Sequence, residues 1–150
     1  MKTQRRSHPG LLASLVVCLL ALAGAGSALA ATYGGETRQD RKVTLRTNGD
    51  APRVFAIDFR APCRRSSEVL RADTEIRGLK GGAGGFRGKA RYREELRRGF
   101  TARIRASVSG RRGSARRWTG RFSVRALLVK RGEVRDKCLL EGLPWRVSRR

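Results

Sequence analysis

Residues 100–109, FTARIRASVS, alternate without a break: Phe100, Ala102, Ile104, Ala106 and Val108 fall on one side, and Thr101, Arg103, Arg105, Ser107 and Ser109 on the other. Successive side chains of an extended strand point to opposite faces, so a period of two marks a strand with one face buried and one in water. The same alternation returns with Trp118, Gly120, Phe122, Val124, Ala126 and Leu128 set against Arg117, Thr119, Arg121, Ser123 and Arg125. The stretch between them, Gly110 to Ala115, is rich in turn residues, so the two strands read as a hairpin with its loop there. If Ile104 lies opposite Phe122, then Arg105 faces Arg121 and Arg103 faces Ser123 on the outer surface, flanked by Arg117 and Arg125. Like charges directly opposite one another weaken a sheet. Arg103, Arg105, Arg117, Arg121 and Arg125 are therefore the candidate anion-binding residues.

Outward from this hairpin the chain keeps the same character. Val43 to Leu45 and Phe55 to Phe59 are shorter strand candidates, followed by weaker ones over Leu70–Ile76 and Phe86–Leu96, and by Val134–Leu140 and Trp145–Ser148 at the end. Turn residues fall between the runs at Asn48-Gly49-Asp50, Gly81 to Gly85, Arg98-Gly99 and Arg131-Gly132, the short spacing of an antiparallel meander. No window shows a sustained helical period with caps at both ends. The expected fold is all-β, an antiparallel sandwich or a small barrel of about seven to eight strands.

The N-terminus is different. Residues 1–10 carry Lys2, Arg5 and Arg6 and no acid, Leu11 to Gly26 is an apolar run of sixteen, and Ala28-Leu29-Ala30 offers small residues where a signal peptidase cuts. Sixteen apolar residues, diluted by glycine, fall short of the ~20 that span a bilayer. Residues 1–30 thus read as a cleavable secretory signal and residues 31–150 as a single secreted or envelope-associated β domain, with no membrane span after cleavage. The whole chain has 150 residues, 35 Lys+Arg against 12 Asp+Glu and a net charge of +23. Removing Lys2, Arg5 and Arg6 with the signal takes the charge to +20 on a shorter chain.

Cleavage also removes His8, the only histidine, and Cys18, one of three cysteines. Without an imidazole the mature chain cannot build a Ser-His-Asp or Cys-His nucleophile. Most catalytic zinc sites and the usual transition-metal geometries are excluded for the same reason. The two remaining cysteines, Cys63 and Cys138, form an even pair in an oxidising compartment, which reads as a disulfide. Closing so long a loop contributes roughly 4.5 kcal/mol in the chain-entropy account.

The carboxylates offer no catalytic pair. Glu94 and Glu95 are adjacent and would point to opposite faces of a strand, and Asp58, Asp73, Glu75, Glu133, Asp136 and Glu141 are scattered. Glu94 shares a side with Ala90 and Tyr92 and is the carboxylate expected to be partly buried. Lys80 to Gly85 has the glycines of a phosphate-cradling loop but neither the following Lys-Ser/Thr nor a helix, so it reads as a hairpin loop. No enzyme, cofactor or metal is expected.

Several short pieces fall in a familiar order: Tyr33-Gly34-Gly35-x-Thr37-x-Gln39, Ala61-x-Cys63 after an aromatic strand, and Gly113 to Gly120 enclosing a tryptophan. Phe122-Ser123-Val124 follows, then Cys138 with Gly142-x-x-Trp145 behind it. In this order the chain resembles small secreted proteins of high-GC actinobacteria, over most of residues 33–147. That group carries no assigned activity, so the resemblance implies a secreted β domain and transfers no catalytic residue. The chain departs from the group after Cys63, where Arg64-Arg65-Ser66 replaces a Gly-rich segment.

The basic excess remains to be explained. Arginine-rich coding accounts for the preference of Arg over Lys, but it leaves the scarcity of acids unaccounted for, while most charged faces are simply solvated. The functional expectation is a non-catalytic domain that binds an anionic cell-wall polymer or acidic polysaccharide through Arg forks on the hairpin face. Nucleic acid is the least favoured polyanion, because the aromatics Phe86, Phe100, Trp118 and Phe122 fall on the inward side, away from any base. The alternative is a protein-binding module, an inhibitor or an envelope assembly partner, that works through its loops.

Overall fold

Alternation of apolar and polar residues becomes nine strands in the computed structural model, which describes residues 29–150. The expected signal segment therefore lies, but for its last two residues, outside the described residues. The strands are β1 (Ala30–Thr37), β2 (Lys42–Asn48), β3 (Ala51–Pro62), β4 (Val69–Arg77), β5 (Lys80–Gly82), β6 (Gly85–Leu96), β7 (Phe100–Ser114), β8 (Arg117–Lys130) and β9 (Glu133–Arg149). A single 3-10 turn, Arg97–Gly99, joins β6 to β7, and no α-helix occurs among the described residues.

All nine strands form one antiparallel sheet in the order β4-β3-β2-β1-β9-β8-β7-β6-β5. Every neighbouring pair is consecutive in the chain except β1 and β9, where Tyr33 lies opposite Arg149 and Thr37 opposite Trp145. The sheet curls until its first four strands pack over its last four, and the aromatic rings meet across the fold. Phe55 of β3 lies 5.0 Å from Trp145 of β9 and 6.4 Å from Phe86 of β6, and Phe59 lies 5.3 Å from Phe122 of β8, measured between ring centroids. Around them Val43, Leu45, Ile57, Ile76, Ile104, Val124 and Val147 are fully buried. This is the all-β fold that the alternation predicts.

The curl stops short of a closed barrel. No ladder joins β4 to β6; the seam is spanned by side chains, with the Thr74 hydroxyl bonded to the Tyr92 hydroxyl, which donates to the Asp73 carbonyl at 3.0 Å. Nine strands slightly exceed the expected seven to eight, and two of them, β1 and β5, were not expected. β1 has few apolar residues and buries chiefly Tyr33 and Thr37, and β5 is only three residues long. Conversely, the two expected C-terminal strands are one. Glu141 and Gly142 bulge out of β9 opposite Ser123, whose hydroxyl accepts the Gly142 N–H at 2.9 Å. The bulge moves the buried residues from even positions (Asp136, Cys138) to odd ones (Leu143, Trp145, Val147), which breaks the period of two in the sequence while the strand continues.

The central hairpin is also tighter than its glycines suggest. β7 runs through Gly110 to Ser114, and the turn is the pair Ala115-Arg116. Ile104 consequently lies opposite Ala126 rather than Phe122. Gly110 and Gly120 face each other inside the strands, where an added Cβ at either would strike the Trp145 ring. Gly120 holds its expected strand position, and Gly110, expected in the loop, is an in-strand seat for the same ring.

Cys63 and Cys138 are joined by a disulfide between the end of β3 and β9. Beside it Asp136 is buried, 6% exposed, and its carboxylate gathers the β3–β4 loop. It accepts the backbone N–H of Arg64 (3.2 Å), Arg65 (3.0 Å) and Ser66 (3.0 Å), the Ser66 hydroxyl (2.7 Å), and the Lys137 N–H (2.7 Å).

Candidate anion-binding face

The outward positions of β6, β7 and β8 carry the candidate arginines. Arg103, Arg105, Arg117, Arg121 and Arg125 are all exposed. The true register changes their neighbours. Arg105 faces Arg125 on β8 and Arg91 on β6, so three arginines stand in one file across three adjacent strands. Arg103 lies between Arg93 and Leu127 rather than opposite Ser123. Arg121 lies between Ser109 and Pro144, away from Arg105, and Arg117 sits at the hairpin end opposite Ser148. The hairpin therefore holds the five residues on one face but separates Arg121 and Arg117 from the Arg103, Arg105 and Arg125 group.

The sequence reading did not include β6 in this face. Arg87, Lys89, Arg91 and Arg93 occupy its alternate outward positions, all exposed. The signal was present as a strict basic alternation from 87 to 93, but the inward partners Gly88 and Ala90 are too small to mark a strand strongly.

Few of these charges are neutralised nearby. The ion pairs among the described residues are Arg46–Glu75, Arg77–Glu75, Arg112–Asp50 and Arg135–Glu133. None involves an outward cation of β6, β7 or β8; Arg112 lies on the inward side at the end of β7, opposite Trp118, with its guanidinium 5.9 Å from that ring's centre. Glu95, an outward acid on β6, accepts from the Thr101 hydroxyl at 3.1 Å instead of pairing with an arginine.

Two groups away from the face have altered titration. Burial alone would raise the Asp136 pKa, but the hydrogen bonds from Ser66, Arg65 and Lys137 outweigh it and hold the carboxyl well below the usual carboxylate range. The Tyr92 phenol is pushed above its ordinary value, first by burial and then by the Glu94 and Asp73 carboxylates, against the opposing hydrogen bond with Thr74. Asp136 ties the β3–β4 loop to β9, and Tyr92 bridges the seam between β4 and β6. Glu94, the carboxylate singled out in the sequence, is half-buried on β6 opposite Ala102. Among the described residues no three of His, Cys, Asp and Glu cluster closely enough to hold a metal ion, and no helix is long and apolar enough to cross a membrane.

Compared with family models, curated proteins and solved structures, the chain matches none of them.

Proposed function

We propose that this is a secreted, non-catalytic β domain that binds an anionic polymer of the cell envelope or its surroundings through the basic outer face of β6, β7 and β8. The observation that carries the reading is the file Arg91, Arg105 and Arg125, in direct register and without an acidic partner. Each direct opposition of like charges costs on the order of 0.5–1 kcal/mol, and a bound polyanion would turn that cost into attraction. The disulfide between Cys63 and Cys138 supports export, since such bonds persist in oxidising compartments.

The test is retention on immobilised heparin, a model polyanion, between about 50 and 200 mM salt, where counterion release makes such binding fall steeply. Arg105→Glu combined with Arg121→Glu should elute at clearly lower salt than the parent. Retention equal to the parent's would falsify the assignment to this face. Loop-mediated recognition of a protein partner would instead show little response to salt.

A further inference from the structure

The basic face has a recess at one end. A groove of about 1650 Å3 crosses the outer side of the sheet from β5 to β9 and reaches the end of β1. Its form follows from two rows of residues set by the strand register. In the first row Lys80, Arg87, Ser109, Arg121 and Pro144 are successive partners on five strands. In the second, Arg111, Thr119, Arg146 and Glu36 are successive partners on β7, β8, β9 and β1. In each row a short hydroxyl residue sits between two arginines: Ser109 between Arg87 and Arg121, and Thr119 between Arg111 and Arg146. The short side chains give the recess its floor and the guanidiniums its walls. The Arg91, Arg105 and Arg125 file has no such short residue between its arginines.

Resting on the reading above, we infer that this groove is where the polymer seats, and that its ligand is a linear polyanion without bases, a chain of phosphates or carboxylates. Three observations carry this. No cation lining the groove is in an ion pair, and Glu36 is the one acid among the lining residues. The cations are spread over four strand spacings, roughly 19 Å, so a single small anion can meet only a few of them while a chain of charges can meet them in turn. The aromatic residues in the lining, Phe86 and Trp145, are 4% and 3% exposed and present no ring for a base to stack on. Ser109 and Thr119 add hydroxyl donors to the Arg forks, the donor set that phosphate and carboxylate oxygens accept from.

The experiment compares two variants of the purified, disulfide-bonded protein. Arg87→Ala/Arg146→Ala empties the groove walls, and Arg103→Ala/Arg105→Ala removes an equal charge outside it. Binding is measured by titration at several salt concentrations with inorganic polyphosphate, polygalacturonate and a single-stranded DNA oligonucleotide as separate probes. The groove variant should lose about tenfold or more in affinity for the preferred probe, and its salt slope should flatten by about 1.4, for two contacts on a single-stranded polyanion. The outer variant should lose less than about threefold, the effect of a screened distant charge. Tighter binding of polyphosphate or of polygalacturonate identifies the phosphate or the carboxylate source. Equal losses in the two variants would overturn the groove while leaving the basic face standing. No loss in either, or no binding of any probe by the parent, would remove the face reading as well. Tighter binding of DNA than of both other polymers would overturn the base-free ligand. Because all four side chains are exposed, equal urea midpoints for the variants and the parent establish that the fold is intact.

Discussion

Asp136 is the residue on which the loop Arg64–Ser66 depends. Four backbone N–H groups and one hydroxyl converge on its carboxylate; without it the Arg64 N–H would keep the Lys137 carbonyl, but the N–H groups of Arg65 and Ser66 would lie in a loop with no strand to pair them. Asp136→Asn removes the charge and replaces one acceptor oxygen with a donor, so it should cost about 2–4 kcal/mol at neutral pH. The pH dependence has a definite sign. The folded carboxyl titrates well below the unfolded value, so the stability it contributes is complete above the unfolded pKa of ~3.9 and is lost as pH falls from there toward the folded pKa. Urea midpoints at pH 7 and pH 3 should fall more for the parent than for Asp136→Asn; an identical fall in both would remove Asp136 as the cause. None of this was legible in the sequence. Asp136 stood among the scattered acids because its loop partners are 70 to 72 positions away, and only the packing of β9 against the β3–β4 loop brings them together. The arginines 103, 105 and 125 were legible, since alternation alone sets which face a strand residue takes.

At the scale of elements, the strands that were easiest to read were those in which large apolar residues alternate with charged ones. β7 and β8 satisfy this, and their faces are as expected. The register differs from the expected one because Gly110 lies within β7 and not in the hairpin loop. Gly110 and Gly120 are strand residues whose missing side chains make room for Trp145 and Phe86, so the signal that marks a turn in one setting marks a crowded core in another. This distinction can be measured. Gly120→Ala places a methyl group against the Ser109 carbonyl and the Trp145 ring and should destabilise by about 1–3 kcal/mol. Gly84→Ala, in the β5–β6 turn with nothing near the added Cβ, should be neutral or stabilise by up to about 1 kcal/mol through the unfolded chain. Thermal unfolding of the two variants distinguishes them, and equal midpoints would contradict the crowding at Gly120. β9 shows the second kind of failure. A bulge shifts the buried phase by one residue, and a strand of seventeen residues looks like two short ones.

For the whole molecule, composition and alternation sufficed for the all-β class, and the pair of cysteines outside the expected signal segment sufficed for the Cys63–Cys138 bond. The meander order was suggested by the turn spacing, but the pairing of the first strand with the last and the nearly closed curl were not, because no local pattern encodes which distant edges meet. The open seam between β4 and β6 has a consequence for connectivity. The backbone N–H of Arg150 donates to the Thr32 carbonyl at 3.2 Å, so the end of β9 and the start of β1 are already adjacent, on strands that a short turn could join as a hairpin. Across the seam, by contrast, no ladder needs the covalent link through Gly78-Leu79, which joins β4 to β5. A circular permutant that begins at Leu79, ends at Gly78 and joins Arg150 to Ala31 by a short turn should fold to the same sheet with the same disulfide. Its β1–β9 pair, the one pairing between strands distant in the chain, becomes local. Lower contact order predicts faster refolding than the natural connectivity, and stopped-flow fluorescence of Trp118 and Trp145, both buried in the core, would report it. A permutant that refolds more slowly, or fails to form the disulfide, would mean that the link across the seam organises the sheet, and that the natural order of the strands is itself part of how this fold is reached.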